Sequence, residues 1–214
     1  MTATTRTNAT FWNKAADGYA RKPVANPDAF ERKIAITRSL MQPDHVVLDI
    51  GCGTGSLALR LASSCAHVHG LDLSSEMIRI ANGKAAAQRA ENVTFHTGPF
   101  DEGFTALEEG SLDGICAYSL LHLVEDRDAA LARIHHLLRP GGLFVSSTVC
   151  LGDTWVPYAP LLRVMRWLGK APTVKIVSRK TLVREVERAG FVDVTGPDVG
   201  AEKIVAFLVA KKPR

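Results

Sequence analysis

The stretch VVLDIGCGTGSLALRL, residues 46–61, decides the fold. His45 to Ile50 form a short, β-branched, apolar run bounded by glycine, the pattern of a strand buried on both faces. Gly51, Cys52, Gly53, Thr54 and Gly55 follow as a turn, and a helical apolar pattern runs on from Gly55 to Ser63. Glycine permits the positive φ angles of a tight turn. Without a Cβ it also lets a nucleotide-like ligand approach main-chain N–H groups at a helix N-terminus. A ligand-free tight turn would use the same residues, but a strand before and a helix after favour the ligand.

Outward from this stretch, strand and helix patterns alternate. Val68–Leu71 reads as a strand, Ser75–Gln88 as a helix and Val93–Thr97 as a strand. Leu112–Tyr118 is a further strand, Asp128–Leu138 a helix and Leu143–Val149 a strand. Alternation at this spacing predicts βαβ units around a parallel sheet, an α/β doubly wound fold. Two late strands in succession, Phe191–Thr195 and Ile204–Ala210, predict an antiparallel edge hairpin at the C-terminus. Ahead of the first strand, Thr10–Ala20 and Pro27–Met41 read as two helices.

Asp72 ends the second strand about 20 residues beyond the glycines, where a doubly wound fold sets a carboxylate against a ribose. Its alternative task is to cap the helix that begins near Ser75, although Ser74 can cap that helix alone. Leu73 and Met77 would flank an adenine with apolar surface.

The ordered series LDIGCGTG, GLDLS, SLDGICAYSLLHLVED and LLRPGGLFVSS resembles the motifs of class I S-adenosylmethionine-dependent methyltransferases, particularly small bacterial ones that act on small molecules. The likeness covers about two thirds of the chain and thins out after Cys150. It implies a Rossmann-like domain over 43–214, N-terminal helices over 1–42 that cover the cofactor site, and S-adenosylmethionine as cofactor. Gly51, Cys52, Gly53 and Gly55 would then lie beside its methionine portion, with Asp49 facing its amino group and Asp72 on its ribose. Relatives often hold the adenine amino group with Gly-Asp after the third strand; here Gly98-Pro99-Phe100-Asp101 stands there, and Asp101 takes that part. Phe100 either packs on the adenine or is a core aromatic. Tyr19 matches a tyrosine that relatives place near the cofactor carboxylate, with Lys22 close by. Ser119 and His122 would line the cleft between methyl and acceptor. His122 is the candidate general base or, on the other reading, a structural histidine pinning its loop.

Residues 153–177 carry a basic amphipathic stretch in which Arg163, Arg166 and Lys170 share one helical face. As a lid it would pack apolar side chains over the acceptor; as an interfacial insert, 155–170 would make a peripheral membrane contact; a dimer contact is the third reading. The partner implied is therefore a small-molecule acceptor, and the chain is expected to be a monomer or homodimer.

Composition narrows the field further. The 214 residues carry a net charge of +4 with basic residues scattered, so no nucleic-acid partner is expected. Four separated cysteines without a C-x-x-C pair suggest neither a metal site nor a disulfide framework and suit a cytoplasmic location. A nicotinamide oxidoreductase also uses a glycine turn and a later Asp, but Ser56 stands where that fingerprint wants its third glycine.

Overall fold

In the computed structural model, which describes residues 3–214, strand β1 (Val46–Ile50) is an interior strand of the sheet, and Val47 to Ile50 are all buried. Side chains alternate across a strand, so Val47 packs on one side of the sheet with Val68, Cys116 and Val145. Leu48 and Ile50 face the other side with Leu71, Ile115 and Phe144. This two-sided burial is the physical content of the unbroken apolar run.

Around β1 are β2 (His67–Asp72), β3 (Val93–Thr97), β4 (Leu112–Tyr118), β5 (Leu138–Val149), β6 (Val192–Thr195) and β7 (Val205–Lys211). The seven-stranded sheet has the order β3-β2-β1-β4-β5-β7-β6. The first five strands run parallel; β7 lies antiparallel to both β5 and β6. The fold is thus the expected Rossmann-like, mostly parallel α/β sheet with an antiparallel C-terminal hairpin.

The helices are α1 (Ala3–Arg21), α2 (Pro27–Ser39), α3 (Ser56–Leu61), α4 (Ser75–Gln88), α5 (Arg127–Leu137), α6 (Tyr158–Trp167) and α7 (Arg179–Arg188). Four begin on side-chain caps: Asn26, Ser74, Asp126 and Ser178 accept from the N–H groups of Ala29, Met77, Ala129 and Thr181. Each such cap is worth about 1 kcal/mol. Ile34 of α2 and Leu57, Ala58 and Leu61 of α3 cover one face of the sheet. Leu131, Ile134 and Leu137 of α5, with Leu182 and Val186 of α7, cover the other. A largely buried, two-pronged pair between Arg127 and Glu185, at 2.7 and 2.9 Å, locks α5 to α7.

Two elements exceed their sequence-based bounds by five residues or more. Helix α1 begins at Ala3 instead of Thr10, because its polar first turns find tertiary partners: Asn8 Oδ1 accepts from Thr173 N at 3.1 Å, and Thr4 Oγ1 donates to Glu125 Oε1 at 3.4 Å. Such contacts override weak intrinsic propensity. Strand β5 begins at Leu138, not Leu143, since Leu138 pairs with Leu112 before Arg139-Pro140-Gly141-Gly142 shifts the register.

Candidate active site

The strand order reverses between β1 and β4, and ligands of open α/β sheets bind at the carboxyl ends of the strands beside such a switch point. A cavity of about 1680 Å³ opens there. Gly51 and Gly53 come to it from the turn after β1, and Asp72, Leu73 and Met77 from the end of β2 and the start of α4. The crossover from β3 to β4 contains no helix, and its residues Pro99, Phe100 and Asp101 form another wall. Tyr118, Ser119 and His122 line it from β4 onward. Helix α1 adds Thr4, Asn8, Trp12 and Tyr19, and the segment after α6 adds Pro172 and Val174.

Asp72 organises the glycine turn. Its Oδ2 accepts from Gly53 N at 2.9 Å and its Oδ1 from Ser74 N at 2.8 Å. It is not the cap of α4, because Ser74 Oγ takes that part with Met77 N at 3.1 Å. Each carboxylate oxygen has a second acceptor site, so the group can bind ligand hydroxyls while holding the turn. Burial raises its pKa, opposed by the two N–H donors.

The glycines divide by task. Gly53 has φ +53°, and a Cβ there would meet only the Tyr19 ring, at 3.9 Å, so its face is open to a ligand. Gly55 has φ +74°, and a Cβ there would lie 2.7 Å from the Phe95 ring; it serves the packing of β3 and α4 and does not line the cavity. Cys52 is likewise withdrawn. Its thiol is buried against the sheet beside Gly70, which moves it out of the expected ligand-facing set. Asp49 lies beneath the turn, 1% exposed, and is not among the residues that line the cavity. It accepts from the Ala58 N–H, while its Oδ2 is buried with no partner. Burial, then the neighbouring Asp72, pushes its pKa up to about 8.

Tyr19 stands at the cavity rim, edge-on to Trp12 at 6.1 Å between ring centroids. Burial, Asp72 and Asp49 raise its phenol pKa. Lys22 is exposed beyond the end of α1 and does not line the cavity; its N–H closes the helix on Tyr19 O at 3.2 Å. Of the two N-terminal helices, α1 alone supplies lining residues, and Asn13 Oδ1 fastens it to α4 by accepting from Ser74 Oγ at 2.6 Å. Helix α2 packs on the sheet instead, through Ile34.

His122 also lines the cavity, and burial lowers its pKa to about 4. Its Nδ1 is buried without a hydrogen-bond partner, while its carbonyl accepts from Lys175 N at 2.7 Å. Ser119, at φ +53°, turns the chain out of β4, and its N–H donates to Ser147 O at 2.6 Å. Of residues 153–177, Pro172 and Val174 line the cavity. No residue of α6 lines the cavity, because its Tyr158, Leu162 and Met165 face is half-buried and its Leu161, Val164 and Leu168 point outward.

A model of a family described as a methyltransferase domain matches residues 47–142. The O-methyltransferase cnsE of Penicillium expansum is 31% identical over 173 residues, 78% of this chain and 60% of that protein. The ubiquinone biosynthesis O-methyltransferase of Aromatoleum aromaticum is 35% identical over 103 residues, 48% of this chain and 43% of that protein. Residues 47–142 thus form a methyltransferase domain. The fold of the chain agrees: the solved structure of Haemonchus contortus phosphoethanolamine N-methyltransferase 2 in complex with S-adenosyl-L-methionine superposes with a TM-score of 0.71 at 18% identity, covering 86% of this chain and 53% of that one. The chain spans about half the length of the curated relatives it matches.

The family match stops at Gly142, so α1, α6 and the 172–174 segment lie outside it. Lining residues that sequence reasoning missed lie both outside the match, in α1, and inside it, at Tyr118 and Arg133. Trp12 and Tyr118 carried a usable signal: one is an aromatic in a leading helix, the other ends a strand that points at the switch point. Thr4 and Asn8 carried none, whereas Pro172 and Val174 fall within the 153–177 stretch. Tyr118 is held by Thr37 Oγ1 at 2.7 Å, and burial raises its pKa.

Proposed function

We propose that this chain transfers the methyl group of S-adenosylmethionine to an oxygen, nitrogen or sulfur of a small, partly apolar organic acceptor. The observation that carries this reading is a single cavity with two unlike walls. On one, Gly53 and Asp72 form a linked hydrogen-bonding cradle; the other carries the His122 imidazole, with Trp12, Pro172 and Val174 also lining the cavity. The volume of about 1680 Å³ exceeds the roughly 300–1,000 Å³ of a usual single-ligand site and leaves room for cofactor and acceptor together.

When bound, S-adenosylmethionine supplies a methyl carbon activated by a sulfonium. The chain's residues have the remaining work of alignment and exclusion of water. Asp72 and Gly53 would hold the nucleoside, Leu73, Met77 and Phe100 would flank its base, and Asp101 stands within the same wall. The acceptor would lie between Trp12 and His122. A neutral His122 imidazole would accept a hydrogen bond from an acceptor hydroxyl or amine through its other ring nitrogen, Nε2, and take its proton as the bond to carbon forms. The four cysteines are free and buried, which suits work in a reducing cytoplasm.

Calorimetry is expected to show binding of both S-adenosylmethionine and S-adenosylhomocysteine, and a screen of phenol, amine, thiol and lipid acceptors to show release of the latter. Failure of the folded protein to bind either nucleoside would remove the assignment. His122→Gln should lower kcat by about ten- to a hundredfold with cofactor affinity unchanged. Because His122 is held near 4, its loss of activity in acid should centre near that pH and not near the usual histidine value of about 6.5. An acid limb at 6.5, or full turnover in the Gln variant, would make the histidine structural.

A further inference from the structure

Residues 154–184 contain seven basic side chains and no acidic one, which leaves the rest of the chain at a net −3. None of the seven takes part in an ion pair among the described residues. The nearest acids in sequence are engaged elsewhere: Asp153 accepts from Arg179 N, and Glu185 holds Arg127. The same segment presents the most exposed large apolar groups of the molecule, Trp155 at 93% and Trp167 at 83%, beside exposed Leu161, Val164, Leu168 and Ile176.

Helix α6 arranges these groups by its period. The half-buried Tyr158, Leu162 and Met165 hold it to the body. Leu161, Val164 and Leu168 then line one flank, Arg163, Arg166 and Lys170 line the other, and Trp167 projects between them. An apolar flank, a cationic flank and tryptophans near both ends match the boundary between acyl chains and anionic headgroups. We propose that this segment docks the protein onto an anionic lipid surface. A second copy of the chain is the poorer occupant, because the core of a protein interface is depleted of charge and a two-fold contact here would bring like charges together. Docking is peripheral: among the described residues no helix is long and apolar enough to cross a membrane.

The patch runs into the acceptor end of the cavity. Pro172 and Val174, which follow it in the chain, line the cavity, and Lys175 N is bonded to His122 O. Resting on the methyl-transfer reading, this continuity implies an acceptor drawn from the lipid phase.

Co-sedimentation of the full chain with vesicles of equimolar phosphatidylglycerol and phosphatidylcholine, compared with phosphatidylcholine alone, tests the docking. Binding is expected for the anionic vesicles only, weakening as salt rises. Arg163→Glu with Arg166→Glu should reduce it by roughly thirtyfold or more, and Trp155→Ser with Trp167→Ser should reduce it while abolishing the vesicle-induced change in tryptophan emission. Both double variants should bind S-adenosylmethionine as the parent does, which shows that they fold. Vesicle binding without nucleoside binding would uphold the docking and sink the methyltransferase reading alone. Absence of binding, equal binding to neutral vesicles, or binding indifferent to both variants overturns the docking. So does a dimer, seen by sedimentation velocity, that the serine variant dissolves while vesicles have no effect.

Discussion

Asp72→Ala is expected to weaken S-adenosylmethionine and S-adenosylhomocysteine by about a hundredfold to a thousandfold, roughly 3–4 kcal/mol. Two charge-assisted bonds to ligand hydroxyls would account for most of this. The rest comes from within the protein: the same carboxylate holds Gly53 N and Ser74 N, so its removal also leaves two donors unpaired and frees the turn that faces the ligand. Asp72→Asn, which keeps one acceptor oxygen but loses the charge, should fall between the two. Titration calorimetry gives the affinities, and a thermal melt establishes that each variant is folded. A folded Ala variant with unchanged dissociation constants would show that Asp72 only braces the turn.

Much of this site was legible because the first two strands and their turns are local in sequence. A buried apolar run, a glycine turn and a carboxylate at the end of the next strand are each set by neighbours within a few residues. The β1–β4 switch point then follows from topology. What stayed hidden depends on packing across the chain. Nothing local distinguishes Gly53, whose missing Cβ would look into the cavity, from Gly55, whose missing Cβ would strike Phe95. Cys52 and Asp49 sit in a ligand-binding motif yet point beneath it, since the turn itself stands between them and the cavity. Thr4 and Asn8 belong to a polar stretch whose helix exists because Thr173 and Glu125 meet it from far along the chain. His122 was legible in place but not in character, because burial shifts a histidine by means that spacing does not record.

Asp49→Asn should flatten the fall in stability with rising pH and remove most of a proton release on cofactor binding. With its carboxyl raised to about 8 in the folded state and near 3.9 when unfolded, Asp49 takes up a proton on folding across the interval from about pH 4 to about pH 8. The folded state therefore binds more protons there, and stability drops as pH rises through that window, by an amount on the order of a few kcal/mol before levelling off. An amide has no proton to lose, so chemical denaturation of the Asn variant at pH 5 and pH 8 should show a smaller difference than the parent does. The ligand acts on the same equilibrium. S-adenosylmethionine carries an ammonium and a sulfonium, and Asp49 lies directly under the Gly51 and Gly53 wall with one oxygen unpartnered. Positive charge brought to that wall lowers the carboxyl's pKa, so binding at pH 7 should expel close to one proton, and affinity should rise between pH 7 and pH 8. Calorimetric heats measured in phosphate and in Tris, whose ionisation enthalpies differ widely, report that proton directly. S-adenosylhomocysteine, without the sulfonium, should release less. Identical heats in the two buffers would mean that Asp49 is already ionised in the free protein, and that the unpartnered oxygen beneath the turn is balanced by something other than a proton.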